Sequence, residues 1–279
     1  MTPRIIAHRG SRINFPENSV EAINAAFESG AEGVEVDVDL TLDGKALLIH
    51  QEGFEFDVVS NRLITAPSGP EAGWLGCLPY SSAKTIDCAS WYYGEGSKGS
   101  MPPGDLKDLI VCAAKGRSFY LELKDPDYWA GQASKRAAEM AQEAAQTALR
   151  LCKQSSEVYI LSFSPAMLRE AQAVIPNVPR LMLIDGQFGP LHSQSAREQG
   201  CVGVVFPLSE FSAGGYSLQA AAHGFEIYVY EDGLPHIKRG FQIDARLEEM
   251  KRHWRQLTTG VHGIITDFPE QLKSFLSSN

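Results

Sequence analysis

The stretch that decides the fold is GVEVDVDLTLDGKALLIHQ, residues 33–51. Its first half alternates acids with valines, namely Glu35, Asp37 and Asp39 with Val34, Val36 and Val38. Successive side chains of a β-strand point to opposite faces, so a strand here carries its acids on one face and its valines on the other. On a solvated edge strand the acids need no partner. Beside a buried core, like charges this close require a positive group to offset them.

A tight turn is predicted directly after this strand, at Asp43-Gly44. Asp-Gly between strand-like residues is a strong signal for a two-residue hairpin loop. The chain enters its next aliphatic run, residues 46–50, after too few residues for a helical crossover. Antiparallel pairing about the turn sets Asp37 opposite His50. We therefore expect an acid and a histidine within reach of each other, with a short non-helical crossover between parallel strands as the alternative.

Short aliphatic runs recur along the chain and alternate with helical patterns. The strand candidates are 4–8, 34–40, 46–50, 119–124, 158–163, 180–184, 202–206, 226–231 and 263–267. The helix candidates are 19–29, 106–115, 130–153, 165–175, 191–199, 217–223 and 244–257. This alternation predicts an α/β fold with a parallel sheet, and at about 250 residues a (β/α)8 TIM barrel is the leading architecture. A doubly wound open sheet is second. A hairpin would explain why there are nine candidates for eight barrel strands.

The domain organisation follows from the same pattern. We expect a single barrel domain, residues 1–279, with a small insertion at about 52–104 that follows the strand ending at His50. The insertion is rich in Gly, Pro and Ser and has no sustained period, as is typical of an active-site excursion or a small subdomain.

Composition limits the classes of partner and compartment. The formal charge of −9 argues against nonspecific binding to nucleic acid or anionic lipid. The first residues lack the apolar run of a secretory signal, and no apolar stretch of about 18 residues predicts a membrane span. The five cysteines are odd in number and scattered, as expected of free thiols in a reducing compartment. We expect a cytoplasmic protein, and the sequence leaves its oligomeric state open.

A TIM barrel places its active site where the strands end. The side chains predicted there are His8, Arg9, Glu35, Asp37, His50, Glu122 and Lys124. Carboxylates without cysteine suit a hard cation such as Mg²⁺ or Ca²⁺. Glu35, Asp37 and Glu122 are therefore candidate ligands of one divalent cation, which would be the positive group that the opening stretch requires. Asp39, nearer the turn, is expected to be solvent-facing or structural.

The remaining side chains at these strand ends suggest a reaction. Arg9 and Lys124 beside a cation make a site for an anionic group, plausibly phosphate. His8 and His50 can serve as general base and general acid, because imidazole titrates near neutral pH. The combination predicts cleavage of a small-molecule phosphodiester. Which histidine is the base is left open.

Several short motifs occur in a fixed order. They are HRG at 8–10, PEN at 16–18, ExD at 35–37, TxDG at 41–44, His50, LELK at 121–124, SF at 162–163 and GIITDFP at 263–269. Together they resemble the glycerophosphodiester phosphodiesterase family over nearly the whole chain. The resemblance implies a TIM barrel, His8 and His50 as the catalytic pair, a divalent cation on the three acids, and phosphate contacts from Arg9 and Lys124. The implied reaction is hydrolysis of a glycerophosphodiester to sn-glycerol 3-phosphate and an alcohol.

Two departures from the family pattern concern the substrate. The usual His-Asp pair is His50-Gln51 here, and the strand motif WTVN is replaced by YVYE at 228–231. A lysophospholipid substrate, as in a lysophospholipase D-like enzyme, is therefore one alternative, and a protein that binds phosphate esters without turnover is another. We expect structural roles for residues 16–18 and for Asp267. No catalytic role is expected for the other histidines, His192, His223, His236, His253 and His262.

Overall fold

The computed structural model describes residues 2–50, 54–57, 62–65, 75–89, 101–126, 136–185, 189–210, 220–221, 223–231, 243–257 and 260–278. Gln51, His236 and most of the helix expected at 217–223 lie outside these ranges. Across the ranges given, no helix is both long enough and apolar enough to cross a membrane.

Eight parallel strands close into a barrel. Among the described residues there are twelve strands, eight of which form the barrel. They are β1 (Arg4–His8), β2 (Gly33–Leu40), β3 (Ala46–Leu48), β4 (Phe54–Asp57), β5 (Arg62–Thr65), β6 (Gly104–Asp105), β7 (Ser118–Leu123), β8 (Glu157–Ser162), β9 (Arg180–Leu183), β10 (Gly203–Pro207), β11 (Glu226–Tyr230) and β12 (Gly263–Thr266). The barrel order is β1-β2-β7-β8-β9-β10-β11-β12, and β12 pairs with β1 to close it. The predicted (β/α)8 TIM barrel is confirmed, and the doubly wound alternative is wrong.

Helices cover the outside of the barrel. The α-helices are Val20–Glu28, Tyr80–Ala83, Ala137–Lys153, Pro165–Val174, Pro190–Glu198, Ile243–Gln256 and Pro269–Ser278, with 3₁₀ helices at Leu75–Cys77 and Leu106–Cys112. Ser19 caps the first helix, because its hydroxyl accepts a hydrogen bond from the Ala22 amide at 3.1 Å. The segment expected as an α-helix at 106–115 is a 3₁₀ helix instead, and the last helix was not among the candidates.

The predicted hairpin is present, but its loop has three residues instead of two. Gly44 has a φ of +74° and donates its amide to the Thr41 carbonyl at 3.0 Å, as in a three-residue loop with glycine in the left-handed region. The additional loop residue shifts the pairing of β2 with β3 by one position. Ile49 therefore donates to the Asp37 carbonyl, at 3.2 Å, and the predicted pairing of Asp37 with His50 is wrong.

The two faces of β2 are both buried. Val34, Val36 and Val38 lie in the apolar layer between the strands and the helices, and all three are fully buried. Because side chains alternate along a strand, the acids between them point into the barrel. Glu35, Asp37 and Asp39 are 2 %, 1 % and 5 % exposed. The opening stretch is thus a central strand whose acids need positive partners, and the solvent-facing alternative for Asp39 is wrong.

The interior of the barrel below these acids is apolar and aromatic. Its buried members are Ile6, Tyr120, Leu161, Leu181, Leu183, Val205, Tyr228 and Ile265. A smaller apolar cluster joins β3 to the described part of the predicted insertion, where Leu75, Ala83 and Ile86 pack against Leu47 and Ile49. Strand β6 also pairs with β3, whereas β4 and β5 pair with each other in a separate sheet.

Candidate active site

Strand register brings the charged residues together at the carboxyl end of the barrel. His8 is level with Glu35 in the pair β1–β2, and Asp37 is level with Glu122 in the pair β2–β7. Side chains that are level in parallel strands share a face, so these four project into the mouth of the barrel. Lys124 comes two residues after Glu122 and lies on the same face.

Three carboxylates form a tight cluster in this mouth. Glu35, Asp37 and Glu122 each contribute an oxygen, and these oxygens lie within 4.8 Å of one another. Glu35 Oε1 is buried and has no hydrogen-bond partner within the described part of the chain. Burial, and then the charges of Asp37 and Glu122, raise the pKa of Glu35 well above its ordinary value. The cluster therefore has the oxygen donors of a hard divalent cation, and in Glu35 it has one carboxylate whose buried Oε1 is unpartnered among the described residues.

Two cations lie against the same cluster. Arg9 Nε contacts Asp37 Oδ2 at 2.9 Å, and Lys124 Nζ contacts Asp37 Oδ1 at 2.8 Å. Lys124 also contacts Glu122. Burial alone would raise the pKa of Asp37, but Arg9 and Lys124 hold it well below its ordinary value. The sequence predicted both cations at this end of the barrel, as groups that bind phosphate, and assigned the offsetting of the acids to a metal ion.

The loop after β1 fixes Arg9 through the PEN motif. Arg9 and Asn18 both have left-handed backbone angles, with φ of 55° and 58°, and the Asn18 amide donates to the Arg9 carbonyl at 2.9 Å. The Asn18 side chain donates to Asp37 Oδ2 and accepts from the Asp37 amide, both at 3.0 Å. Glu17 accepts from Arg9 Nη1 at 2.9 Å. Such non-glycine left-handed residues persist where the surroundings over-determine them.

His8 is held by an acid from the far end of the chain. Its Nδ1 lies 2.8 Å from Asp267 Oδ1, and because a carboxylate can only accept, Nδ1 is the protonated nitrogen. Its Nε2 then carries the lone pair and lies 3.9 Å from Glu35 Oε2. Burial, followed by the charge of Arg9, lowers the pKa of His8. Sequence analysis expected only a strand-end structural role for Asp267, although the GIITDFP motif was a signal.

His50 follows β3 and is partly buried. Burial and then the charge of Arg9 hold the pKa of His50 well below its ordinary value, with Lys124 and His8 acting in the same direction and Asp37 opposing them. His50 directly follows Ile49, whose amide donates to the Asp37 carbonyl, so it lies at the same end of the barrel although its strand register differs from the predicted one. All seven predicted site residues therefore meet at one end of the barrel.

Two further acids are buried at this end of the barrel: Glu231, which was given no role from the sequence, and Asp39, for which a structural role was one of two expectations. Glu231 follows β11 and accepts from Trp254 Nε1 at 3.1 Å, from the Thr266 hydroxyl at 2.6 Å and from the Asp267 amide at 2.9 Å. Burial and then the charge of Asp267 raise the pKa of Glu231 to about 8. Burial likewise raises the pKa of Asp39 to about 6, and its carboxylate accepts from the Leu40 amide at 2.7 Å.

The replaced strand motif reaches the mouth through one side chain. Tyr228 lies in the barrel interior, 2 % exposed, whereas Tyr230 is only partly buried. The Tyr230 ring stands perpendicular to that of Phe163, with centroids 6.4 Å apart, and Phe163 is 46 % exposed. Tyr230 ends β11 and Phe163 follows β8, so the two aromatic residues form an apolar surface at the carboxyl end of the barrel. His192 and His262 instead accept hydrogen bonds from the amides of Gly189 and Ile227, respectively.

The barrel and its charged carboxyl end define a TIM-barrel enzyme. The chain belongs to the glycerophosphoryl diester phosphodiesterase family, whose model matches residues 8–271. It is therefore an enzyme of the phosphodiesterase class, as the sequence motifs predicted.

Named relatives cover nearly the whole chain. The glycerophosphodiester phosphodiesterase of Caldanaerobacter subterraneus is 27 % identical over 98 % of this chain and 97 % of that protein. The enzyme of the same name from Bacillus subtilis is 24 % identical over 95 % of this chain and 83 % of its own length. Among solved structures, an Oleispira antarctica phosphodiesterase in complex with the product sn-glycerol-3-phosphate has a TM-score of 0.72, with 19 % identity over 99 % of this chain and 97 % of that one. This last likeness supports the fold.

Proposed function

We propose that this protein hydrolyses a glycerophosphodiester to sn-glycerol 3-phosphate and an alcohol, with a divalent cation at Glu35, Asp37 and Glu122. The observation that carries the proposal is the three-carboxylate cluster with Arg9 and Lys124 beside it at the barrel mouth. The family membership and the product-bound Oleispira antarctica phosphodiesterase support the choice of substrate class. We also propose that residues 1–279 form one catalytic domain and that the protein acts in the cytoplasm.

The carboxylate cluster fits a hard divalent cation. Glu35 is the decisive residue, because its buried Oε1 has no partner among the described groups and burial disfavours its charged form. A cation coordinated there would supply both the missing ligand contact and the missing charge, and would polarise the phosphoryl oxygens of the substrate. Carboxylate oxygens alone do not distinguish Mg²⁺ from Ca²⁺, since both prefer oxygen ligands.

The two histidines are proposed to move the protons. His8 Nδ1 is occupied by Asp267, so Nε2 is the atom that accepts a proton from the attacking hydroxyl group. Asp267 then stabilises the resulting imidazolium, as a carboxylate does in a catalytic pair of this type. His50 is the second proton-transfer group, for the leaving alcohol. Attack by a substrate hydroxyl would give a cyclic phosphate, which ³¹P NMR during turnover would separate from direct attack by water.

Arg9 and Lys124 are proposed to bind the phosphate. Arg9 is buried and Lys124 is partly buried, and both are already held by carboxylates, which keeps their charges in place without reorganisation during the reaction. A lysophospholipid remains the second candidate substrate, because the half-exposed Phe163 beside Tyr230 offers an apolar wall for an acyl chain. That alternative predicts turnover that rises with acyl length.

Product release from a panel of glycerophosphodiesters and lysophospholipids tests the proposal. We expect release of glycerol 3-phosphate that is abolished by EDTA and restored by one of the two metals. Glu35→Gln should weaken metal binding, measured as the metal-dependent rise in Tm, while Glu226→Gln at the other end of the barrel serves as the matched control. Binding of a diester with no product over long incubation would instead favour the non-catalytic phosphate-ester-binding protein.

A further inference from the structure

Arg12 is the most deeply buried cation at the carboxyl end of the barrel, at 1 % exposure. It follows the HRG motif and has no place among the residues predicted to bind metal or phosphate. An arginine is permanently charged, so its burial is favourable only where carboxylates compensate for the lost water. Its position therefore requires an explanation in terms of the groups that it contacts.

The Arg12 guanidinium bridges two acids that belong to different parts of the site. Nη2 lies 3.0 Å from Glu17 Oε2, and Nη1 lies 3.3 Å from Asp267 Oδ1. Glu17 uses its other oxygen to hold Arg9, and Asp267 uses the same Oδ1 to hold His8. A continuous chain of ion pairs thus runs from the histidine at the end of β1 to the phosphate-side arginine.

The geometry of this chain gives Arg12 a specific task. Arg12 Nη1 lies 3.3 Å from His8 Nδ1, so both groups share Asp267 Oδ1 and restrict where that oxygen can lie. Asp267 is in turn fixed by its amide, which donates to Glu231 at 2.9 Å. The forked guanidinium reaches Glu17 with Nη2 and Asp267 with Nη1, and a lysine ammonium, which is a single point on its stem, does not reproduce this two-nitrogen geometry.

We infer that Arg12 is a positioning residue that, through Asp267 and Glu17, fixes His8 and Arg9 relative to each other. Its side-chain contacts within the described residues are with Glu17, Asp267 and His8, none of which is a predicted metal or phosphate ligand. The inference rests on the proposed function, since it assumes that His8 and Arg9 act on one phosphodiester. Misplacement of a catalytic group by about 1 Å can cost on the order of 10²-fold in rate, so loss of this bridge should appear in turnover.

The test compares Arg12→Lys with Arg180→Lys. Arg180 is also buried, at 5 % exposure, but its hydrogen bonds to the described residues go to backbone carbonyls, at Pro176, Val178, Gln199 and Gly200. Both variants keep the charge and are expected to fold. We expect Arg12→Lys to lower kcat by about 10- to 100-fold with less than a threefold change in KM. Arg180→Lys should lower Tm and leave kcat unchanged.

A double-mutant cycle with Asp267→Asn separates positioning from general destabilisation. If Arg12 acts through Asp267, adding Arg12→Lys to Asp267→Asn should cost less than threefold further in kcat, because the pathway is already broken. Independent, multiplicative losses would overturn the inference. So would an Arg12→Lys enzyme with wild-type kcat, or equal losses of kcat in the two lysine variants.

Failure of the inference and failure of the proposed function give different results. If the wild-type protein releases no product from any diester, the proposed function fails. The inference is then tested by ¹H–¹⁵N NMR of the His8 ring, whose Nδ1 proton is assigned by its absence in His8→Gln. We expect the resonance to shift in Arg12→Lys and to stay unchanged in Arg180→Lys. An unchanged resonance in Arg12→Lys would overturn the inference without reference to activity.

Discussion

The two ends of the barrel interior are built on the same strands from opposite chemistry. On β7, the inward positions carry Tyr120 towards the amino end and Glu122 towards the carboxyl end. Tyr120 stacks on Tyr159 with ring centroids 4.6 Å apart, and Tyr228 packs against both rings. Two residues further along β7, at Glu122, the interior becomes a network of buried ions.

The two ends of the barrel therefore differ in what they contribute to stability and to function. Two glycines make room for the tyrosines at the amino end, since a Cβ on Gly33 would lie 2.7 Å from the Tyr120 ring and one on Gly263 would lie 2.6 Å from the Tyr228 ring. Close packing of large rings stabilises the fold. Buried ion pairs contribute little net stability, because desolvation offsets their attraction. The carboxyl end therefore keeps its charges for what they bind, and the amino end carries the packing.

The largest expected effect is on turnover, from either site histidine. We expect His8→Ala and His50→Ala to lower kcat by ~10²–10⁴, because each removes a proton-transfer group. The affinity for the metal, measured from the metal-dependent rise in Tm, should stay within a factor of a few of the wild-type value. The matched control is His262→Ala at the amino end, where Nδ1 accepts from the Ile227 amide at 3.1 Å. A wild-type kcat in either site variant would show that this histidine is not a proton-transfer group. A comparable loss of kcat in His262→Ala would contradict the view that function resides at the carboxyl end.

The next effect is on stability, from the aromatic packing at the amino end. Tyr228 is 2 % exposed, so Tyr228→Ala should lower the free energy of unfolding by ~3–5 kcal/mol, in line with other large-to-small core substitutions. Chemical denaturation at 25 °C measures this loss. The kcat of the fraction that remains folded should equal that of the wild type.

A double-mutant cycle sharpens this result. Gly263→Ala alone should be destabilising by about 1–3 kcal/mol, because its Cβ would clash with the Tyr228 ring. In the Tyr228→Ala background the same change should cost clearly less, because, of the three atoms nearest that Cβ, only Ile6 Cδ1, at 2.9 Å, is left. Additive losses would mean that the glycine is needed for some reason other than room for the ring.

The sequence predicted the barrel because its signals are local. The valines and acids of β2 alternate over six residues, 34–39, and the alternation alone separates the helix-facing side from the interior. The aliphatic runs also show where each strand ends, and the seven predicted site residues lie at those ends. What alternation cannot set is the length of a hairpin loop, since Asp-Gly occurs in loops of two and of three residues. The Thr41 hydroxyl donates to Asp43 at 2.8 Å and favours the longer loop here.

The residues missed in the sequence are those whose partners are far away in the chain. His8 and Asp267 are separated by 259 positions and meet only because β12 closes the barrel against β1. Glu231 meets Asp267 for the same reason, at the end of the neighbouring strand β11. Nothing in the local sequence distinguishes Arg12 from a solvent-exposed loop arginine. It is buried because the closure of the barrel brings Asp267 against it. Motif spacing carries no information on such contacts.

A third prediction concerns pH and sharpens the view that buried acids at the carboxyl end do not serve stability. Burial and the charge of Asp267 raise the pKa of Glu231 from 4.5 to about 8. Between these values the folded protein holds a proton that the unfolded chain has lost, so wild-type stability falls as pH rises through this window. Glu231→Gln cannot ionise and escapes this loss.

Unfolding at a series of pH values measures the effect. The stability of Glu231→Gln relative to the wild type should increase from about pH 4.5 to about pH 8 and level off above it. A relative stability that stays constant across the window would mean that its three hydrogen-bond donors keep Glu231 ionised throughout. Glu226→Gln at the amino end is the matched control.

The smallest expected effect comes from the hairpin that leads to His50. Gly44 has a φ of +74°, and a Cβ there would meet the flexible end of the Glu139 side chain. Gly44→Ala should therefore cost about 1 kcal/mol of stability, chiefly from the left-handed backbone, with kcat unchanged. Denaturation and turnover measured on the same sample check both parts. A tenfold loss of kcat with so small a loss of stability would mean that the three-residue loop itself places His50, and that the functional end of the barrel extends into the hairpin outside it.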